Sequence, residues 1–369
     1  MEINRIAVLG AGNGGCAAAA DLRDRGFDVR LYSRSRERLE PMIDRGGLEM
    51  VGVRSAFVPL ATITDDLAAA IDGADLVMLA VPVSAHPNYA AALAPLLAPG
   101  QVVFLNPGHM GGGLFMTNEI HRLNGRTDVR TCEVTTLTYV CRLQGPSTVN
   151  VLQVVSNLAF AAFPGRHRDE LYEAIKPLYP DIVPATSVLE TGFLDINAVE
   201  HPPQIVCNAG WVERTGGDYL FYYEGTTPAV GRVIDAVDRE RIAIAFAANV
   251  PTVPFVETFF RTGYTTESAM RAGSAHHALQ ESEPNRWIKG PPSLDHRYLH
   301  EDVGFALVPW SEMAAALGVP TPTIDSLVVL GSTLNGIDYR RSGLTLERLG
   351  LAGRDLRHLD PYLEHGLAA

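Results

Sequence analysis

The sequence predicts an α/β fold in which a doubly wound parallel sheet is followed by an all-α second domain. Short apolar runs alternate with helical patterns over residues 1–187, which is typical of parallel strands joined by crossover helices. A glycine-rich turn directly follows the first apolar run. After residue 187 the pattern is helical, with interruptions at prolines and glycines. These three observations together indicate the fold class.

The elements of the first domain follow in chain order. Buried strands are expected at residues 5–9, 28–32, 75–81 and 101–105, with one more near the sheet edge at 148–155. Helices are expected at residues 17–25, 35–45 and 90–97. Ser187 and Glu190 form a capping-box pattern, in which both side chains satisfy backbone N–H groups at a helix start. We therefore divide the chain into domains at residues 1–187 and 188–369.

Length and charge restrict the class of protein. A chain of 369 residues favours two domains over one hydrophobic core. The net charge of −12 argues against nucleic acid and membrane lipid as partners, since both attract a basic surface. The apolar stretches are too short to span a bilayer, and a strand begins close to the first residue, so we expect no signal peptide and a cytoplasmic protein. The cysteine spacing predicts reduced thiols and no metal site.

The glycine-rich turn has the spacing of a dinucleotide-binding loop. Gly10, Gly12 and Gly15 satisfy G-x-G-x-x-G between an expected strand and an alanine-rich helix. In this context the first glycine allows a tight turn, the second lets a pyrophosphate approach the backbone, and the third lets the helix pack on the strand. The helix N-terminus then offers N–H groups to the phosphates. We predict a Rossmann domain that binds a nicotinamide dinucleotide through these glycines, Asn13 and Gly14.

The residues after the second strand favour NADPH over NADH. An acidic residue at this position would bind the ribose hydroxyls and repel a 2′-phosphate. This sequence has Ser33, Arg34 and Arg36 instead, and arginine binds phosphate oxygens in a bidentate fork. The alternative interpretation is that both arginines are solvated residues at a helix start. NADPH is therefore the expected cofactor, and NADH the alternative.

Two further loops are expected at the same edge of the sheet. Val81 and Pro82 follow a central strand, where a turn usually covers the pyrophosphate and the nicotinamide ribose. Residues 106–112 form a glycine-rich loop after the next strand, and its N–H groups can form an anion-binding nest. Because ligands bind at the carboxyl ends of strands in open α/β sheets, we expect both loops to line the site.

Two polar segments of the second domain are candidates for chemistry. Asn197 and His201 are four residues apart and so share a helix face, and Pro202 and Pro203 predict that the helix ends there. Residues 295–302 place many polar groups between apolar segments. Judged by spacing alone, a helix-end cap and a solvated turn explain these residues better than catalysis does.

Together these segments resemble the opine dehydrogenases, the octopine/nopaline dehydrogenase family. The resemblance covers nearly the whole chain and looks closest to the bacterial N-(1-carboxyethyl)amino-acid dehydrogenases. The motifs that carry it are Asn197-Ala-Val-Glu-His201-Pro202, Tyr223-Glu-Gly-Thr-Thr-Pro228, Arg297-Tyr-Leu-His-Glu-Asp302, Asn106-Pro-Gly108, Gly111-Gly112 and Cys141-Arg142.

The resemblance implies an NAD(P)H-dependent oxidoreductase that acts on CH–NH donors. Members of the family condense the amine of an amino acid with an α-keto acid, reduce the resulting imine, and catalyse the reverse. The family's catalytic histidine falls on His201 and its partner aspartate on Asp302. The substrate-binding arginine falls on Arg297, with Asn197 and Tyr223 as further expected substrate contacts.

Two positions depart from the family pattern. His109 stands where enzymes for acidic substrates place another residue, and we include it among the expected substrate contacts. Ser33 replaces an acidic residue of NAD-dependent relatives. The first departure leaves the keto acid and the amino donor open, and the second leaves the cofactor open.

Two other functions remain as alternatives. A ketopantoate-like or glycerol-phosphate-like NADP-dependent keto reductase on this fold usually relies on a lysine in the second domain, where this chain offers Lys289. A non-catalytic NADP-binding regulator should lack a proton-transfer residue, and the His201 and Asp302 pair argues against it. The oligomeric state also stays open, with a homodimer as one alternative.

Overall fold

The computed structural model describes residues 1–368 and divides into two compact units. The first unit is Met1–Val188 together with the chain from Pro361 onward, and the second is Leu189–Asp360. The end of the chain, which the sequence analysis assigned to the second domain, therefore packs with the first. Tyr362 makes an edge-on contact with Phe163 at a centroid distance of 5.7 Å, and its hydroxyl lies 2.8 Å from the Asn118 amide nitrogen.

The first unit contains an eight-stranded and a four-stranded sheet. The strands in chain order are β1 (Arg5–Leu9), β2 (Asp28–Tyr32), β3 (Gly47–Gly52), β4 (Ala56–Pro59), β5 (Thr62–Thr64), β6 (Leu76–Leu79), β7 (Val102–Leu105), β8 (Arg130–Val134), β9 (Tyr139–Leu143), β10 (Thr148–Val154), β11 (Leu158–Phe163) and β12 (Ile182–Pro184). The larger sheet has the order β12-β11-β8-β7-β6-β1-β2-β5, and the smaller has the order β4-β3-β10-β9.

The centre of the larger sheet is parallel and buried on both faces. Leu9 at the end of β1 is in register with Tyr32 and with Leu79, and Leu79 is in register with Leu105. Strands β6 and β7 are buried at every position, as expected for a parallel sheet covered by helices. The carboxyl ends of the four strands therefore lie along one edge. The predicted fold class is confirmed for this unit.

The smaller sheet was not predicted, and the expected position of one strand was wrong. β10 was placed near the edge of the parallel sheet, but it pairs with β3 in parallel and with β9 in antiparallel orientation. Val149 and Val151 are buried while their neighbours are at least partly exposed, and this alternation fits a sheet with one solvated face. β11 runs antiparallel to β8 within the larger sheet.

Helices flank these strands in the first unit, and the second unit is mostly helical. The first unit has α1 (Asn13–Asp24), α2 (Arg36–Arg45), α3 (Leu67–Ile71), α4 (His86–Leu93), α5 (Gly112–Asn124) and α6 (Arg168–Ile175). The later helices are α7 (Val188–Phe193), α8 (Ile196–Cys207), α9 (Ala209–Thr215), α10 (Pro228–Ala247), α11 (Phe255–Arg261), α12 (Glu267–Ala272), α13 (Ala275–Gln280), α14 (Arg297–His300), α15 (Val308–Leu317), α16 (Pro322–Asn335), α17 (Tyr339–Ser342) and α18 (Asp360–His365). Within residues 1–368, every helix is too short or too polar to cross a membrane.

The core of the second unit is built around the long helix α10 and a buried arginine. Arg241 is 1% exposed and donates to Asp238 on the same helix and to the carbonyl oxygens of Phe193 and Val253. Trp310 stacks on Phe193 at a centroid distance of 6.1 Å. The arginine thus satisfies backbone acceptors from α7 and from the segment before α11, which connects three parts of the helical unit.

Candidate functional site

The glycine-rich turn after β1 closes tightly on itself. The Gly10 N–H donates to the Tyr32 carbonyl oxygen at 2.8 Å, and Gly10 has φ of +119°, a conformation that favours glycine. A Cβ placed on Gly15 would lie 1.7 Å from the Gly10 carbonyl oxygen. A side chain at either position is therefore incompatible with this turn.

The start of α1 leaves room for a ligand beside Gly12. Gly12 is the N-cap and offers no side-chain acceptor to the first N–H groups. A Cβ built on Gly12 would have no atom of the described residues within 4 Å. These are the features that a pyrophosphate requires, because it needs close backbone approach and unpaired N–H donors at a helix N-terminus. The turn therefore fits a dinucleotide.

The other two residues of the turn contact the first unit itself. The Asn13 side-chain oxygen accepts from the Leu143 N–H at 2.8 Å, and a Cβ on Gly14 would lie 2.7 Å from a methyl group of Leu137. Arg38, which the sequence analysis did not select, donates from Nε to the Ala11 carbonyl oxygen at 3.0 Å. These contacts fix the turn against neighbouring elements.

The residues after β2 lie at the surface. Arg34 and Arg36 are exposed and Ser33 is half-buried. Arg36 forms an exposed ion pair with Asp65 at 3.2 Å, and the Arg34 guanidinium lies 5.9 Å from the Tyr89 ring centroid. An exposed ion pair of this kind contributes little to stability. Arg36 can therefore release Asp65 and bind another anion.

The two further loops of the first unit end at the same sheet edge. Val81 is half-buried and Pro82 is exposed. Val81 packs against the glycine-rich turn, because a Cβ built on Gly10 would lie 2.7 Å from the Val81 Cγ1. In the 106–112 loop, the buried Asn106 side chain exchanges two hydrogen bonds with Thr138, at 2.9 and 3.0 Å. His109 is 3% exposed and has φ of +55°. The loop is thus held by side chains of its own unit.

His201 and Asp302 form a buried pair in the second unit. The His201 Nδ1 lies 2.8 Å from the Asp302 Oδ2, and the two residues are 2% and 3% exposed. Asp302 lies between α14 and the π-helical turn Val303–Leu307, and such turns are frequent at functional sites. Because a carboxylate only accepts, Nδ1 carries the proton and Nε2 is left as an acceptor.

Helix α8 continues past His201, contrary to the prediction. The two prolines predict that the helix ends at Pro202, but the helix runs to Cys207. Each proline removes one N–H and costs a helical hydrogen bond. Pro202 and Pro203 are both buried, as are most residues from Ile196 to Ile205, so packing of this helix outweighs the lost bonds. His201 therefore lies within a helix and not at a helix junction.

Two tyrosines complete the surroundings of the imidazole. The Tyr222 hydroxyl lies 2.9 Å from the His201 Nε2, and the Tyr298 ring stacks on the imidazole at a centroid distance of 3.8 Å. The two hydroxyl oxygens are 3.5 Å apart. Burial raises the pKa of Tyr222 well above its usual value, with the neighbouring Tyr298 and Glu200 adding to the effect. Tyr222 therefore donates its proton to Nε2 in a hydrogen bond.

A second carboxyl group lies beside the same nitrogen. Glu200 is 2% exposed, and its Oε1 is 3.9 Å from the His201 Nε2. Burial raises the pKa of Glu200 well above its usual value, and the negative charges of Asp302 and Asp195 raise it further. Asp195 is the N-cap of α8 and accepts from the Asn197 N–H. The neutral form of Glu200 is accordingly favoured.

The predicted substrate contacts of the second unit differ in their exposure and surroundings. Arg297 has a half-exposed side chain, and its guanidinium lies 5.3 Å from the Tyr298 ring centroid, so it adjoins the cluster around His201. Asn197 is half-buried on α8. Tyr223 is 37% exposed, with a guanidinium from Arg286 over its ring at 5.6 Å.

Tyr222, Tyr298 and Glu200 were not among the predicted site residues. Tyr222 is adjacent to the predicted Tyr223, but successive residues of a turn carry no periodic signal that separates a buried ring from an exposed one. Tyr298 and Glu200 lie inside the motifs that carry the family resemblance. Their position in those motifs was the signal that could have identified them.

The chain is similar to known proteins over nearly its whole length. Residues 184–335 match the family described as NAD/NADP octopine/nopaline dehydrogenase, alpha-helical domain. Residues 5–148 match the family described as NAD-dependent glycerol-3-phosphate dehydrogenase N-terminus. The chain is 37% identical to an opine dehydrogenase of Arthrobacter sp. (strain 1C) over 355 residues, which cover 96% of this chain and 97% of the relative.

Solved structures share the fold. An octopine dehydrogenase with NADH and L-arginine has a TM-score of 0.76 and 22% identity, covering 98% of both chains. A yersinopine dehydrogenase with NADP+ bound has a TM-score of 0.73 and 18% identity, again covering 98% of both chains. The likeness extends over the complete architecture of both units.

Substitution of two glycines should separate folding from dinucleotide binding. In Gly15→Ala the new methyl group meets the Gly10 carbonyl oxygen, so we expect a destabilisation of about 1–3 kcal/mol or more and a lower Tm. In Gly12→Ala the methyl group enters open space, so the Tm should stay near that of the wild type while dinucleotide binding weakens about tenfold or more. Thermal melting and fluorescence titration with NADPH and NADH measure both. Equal losses of Tm in the two variants would contradict this account of the turn.

Proposed function

The chain belongs to the opine dehydrogenase family, and from that premise we propose how its residues carry out the reductive condensation of an amino acid with an α-keto acid. The enzyme is an NAD(P)-dependent oxidoreductase that acts on CH–NH groups. We assign dinucleotide binding to residues 1–187 and the substrate and proton-transfer groups to residues 188–369, apart from the terminal segment that packs with the first unit. The observation that carries the proposal is the buried hydrogen bond between His201 and Asp302.

His201 is the proposed general base and acid. The substrate amine must lose a proton before it attacks the keto carbon, and the resulting carbinolamine must then lose its hydroxyl group as water. An imidazole can serve in both steps because it exchanges protons near neutral pH. The Tyr222 hydroxyl occupies Nε2 at 2.9 Å, so a proton that moves between substrate and imidazole must pass through this hydroxyl or displace it.

Asp302 is the proposed partner of the imidazole. Its carboxylate accepts from the Nδ1–H at 2.8 Å, which keeps the neutral ring in the tautomer whose Nε2 lone pair is the acceptor. When His201 takes up a proton, the negative charge of Asp302 stabilises the imidazolium. The buried location strengthens this attraction, because the pair is shielded from water.

Arg297 is the proposed clamp for the keto-acid carboxylate. Its guanidinium is half-exposed and its nearest acidic partner, Glu301, is 3.9 Å away, which is too long for a direct hydrogen bond. A planar guanidinium can bind a carboxylate with two parallel hydrogen bonds and so fix the keto carbon for attack. Asn197, Tyr223 and His109 stay proposed substrate contacts: the first lies one helical turn before His201, and the second has an exposed ring.

The cofactor site is assigned to Gly10, Gly12, Asn13, Gly14 and Gly15. Its further proposed members follow the next strands and are Ser33, Arg34, Arg36, Val81 and Pro82. A bound nicotinamide dinucleotide supplies the hydride that reduces the imine carbon. We propose that NADPH is preferred over NADH, because the residues after β2 are cationic and the strand ends without an acidic residue.

The alternative functions lack support in the second unit. Lys289, the lysine that a keto reductase of this fold would use, is an exposed residue paired with Asp218 at 2.6 Å. A dinucleotide-binding regulator has no need of a buried imidazole and carboxylate pair, which is costly to desolvate. We further propose a cytoplasmic location, and a homodimer remains a prediction.

The reaction should require both organic substrates. We expect NADPH to be oxidised when an amino acid and an α-keto acid are present together, and not with either alone. A matrix of amines against keto acids, followed by NADPH absorbance and by mass spectrometry of the secondary amine, measures this. Steady oxidation with a keto acid alone, yielding a hydroxy acid, would instead establish a keto reductase.

The cofactor preference should depend on the residues after β2. Ser33→Asp with Arg34→Ile removes a phosphate ligand and adds a negative charge beside the ribose. Loss of a charged bidentate contact costs about 1.5–3 kcal/mol, which equals about 10- to 150-fold in NADPH binding. The ratio of kcat/KM for NADPH to that for NADH measures the change, with exposed Arg122→Ile as the control. A wild-type enzyme that already prefers NADH would refute the assignment.

A further inference from the structure

Glu200 is a buried carboxyl group that the mechanism above does not use. Its side chain is 3% exposed, and its Oε2 has no hydrogen-bond partner among the described residues. Burial of a polar group without hydrogen bonds is unfavourable, and burial of an unpaired charge much more so. Natural structures keep few such groups, and each calls for an explanation.

The groups around Glu200 keep its carboxyl neutral. His201 lies at 3.9 Å and is neutral when Tyr222 donates to its Nε2. The charges of Asp302 and Asp195 oppose a third negative charge nearby, and the adjacent Tyr222 is uncharged. The cluster therefore holds one spare proton, on Glu200, next to the nitrogen that exchanges protons with substrate.

The reaction consumes one such proton. An amino acid enters as an ammonium ion with three N–H bonds, and the product is a secondary ammonium ion with two. The keto oxygen leaves as water with two protons that come from the nitrogen, and the secondary amine formed by reduction then takes up one proton to become the ammonium ion. The hydride from the dinucleotide goes to carbon. Each reductive turnover therefore needs one additional proton from the protein.

We propose that Glu200 holds this proton and passes it to His201 during reduction. After His201 has returned the amine's proton to the leaving hydroxyl group and hydride transfer is complete, the O–H bond of Glu200 breaks as an N–H bond forms at Nε2 in place of the Tyr222 hydrogen bond, which leaves a carboxylate beside an imidazolium ion. The imidazolium then donates to the nitrogen of the newly formed secondary amine, which becomes the secondary ammonium ion, and Glu200 regains its proton from solvent after turnover. A closure of about 1 Å brings Oε1 and Nε2 from 3.9 Å into hydrogen-bond range. Glu200 acts through His201, so it is a positioning residue.

This inference rests on the proposed function, and the pH dependence of turnover tests it. The wild-type kcat for reduction should fall as the pH rises through the raised pKa of Glu200, because the carboxyl loses its proton. Glu200→Gln keeps the shape but holds no transferable proton, so its kcat should be lower by about tenfold or more and lack this alkaline fall. Glu213→Gln, at an exposed position of α9, makes the same change of side chain and should match the wild type.

A second measurement needs no substrate. A carboxyl whose pKa is raised on folding stabilises the folded state most below its unfolded pKa, and this contribution is lost as the pH rises through the raised pKa. The stability of Glu200→Gln relative to the wild type should therefore increase as the pH rises above the ordinary pKa of a glutamate side chain, about 4.3. The infrared band of a protonated carboxyl should also disappear in this variant.

The outcomes distinguish this proposal from the proposed function. A stability difference that does not change with pH would mean that Glu200 is ionised, and would overturn the inference. An active wild type whose alkaline fall persists in Glu200→Gln would overturn it as well, while leaving the opine reaction intact. If amine and keto acid together give no secondary amine, the proposed function fails, and the inference fails with it.

Discussion

The hydrogen bond between Asp302 and His201 is the interaction on which the chemistry of the second unit depends. A buried carboxylate without a partner is strongly unfavourable, so the pair requires α8 and the segment after α14 to stay in one arrangement. The 2.8 Å contact then decides the tautomer of the imidazole. In that tautomer Nε2 is the hydrogen-bond acceptor, and the Tyr222 hydroxyl donates to Nε2.

Three buried carboxyl groups, Asp195, Glu200 and Asp302, interact electrostatically in one cluster, and each has different hydrogen-bond surroundings. Asp195 accepts from the Asn197 N–H at the start of α8. Asp302 accepts from the imidazole. Glu200 has neither kind of partner, and the other two charges oppose its ionisation. Asp195 is a helix cap, and we propose that Asp302 orients the imidazole and that Glu200 stores a proton; local contacts therefore give carboxyl groups different roles.

The parts of this account that sequence could predict are local. Alternating apolar runs and glycine spacing predicted the parallel sheet and the dinucleotide turn, since both depend on neighbours in the chain. The small sheet escaped prediction because β3 and β10 pair across about a hundred residues. The predicted helix end at Pro202 was wrong for a similar reason. The hydrogen bond that proline removes is local, whereas the packing that outweighs this loss involves residues distant in the chain. Asp302 lies 101 positions from His201, and only the family resemblance connected the two.

The central claim is that Asp302 sets the tautomer of a catalytic His201. The most direct measurement is the kcat of Asp302→Asn, taken with its Tm and its dinucleotide Kd. The amide can donate to Nδ1 and so favours the opposite tautomer, so the account predicts a fall in kcat of about 10²- to 10⁴-fold with an unchanged dinucleotide Kd. A folded Asp302→Asn enzyme with the kcat of the wild type would contradict the account.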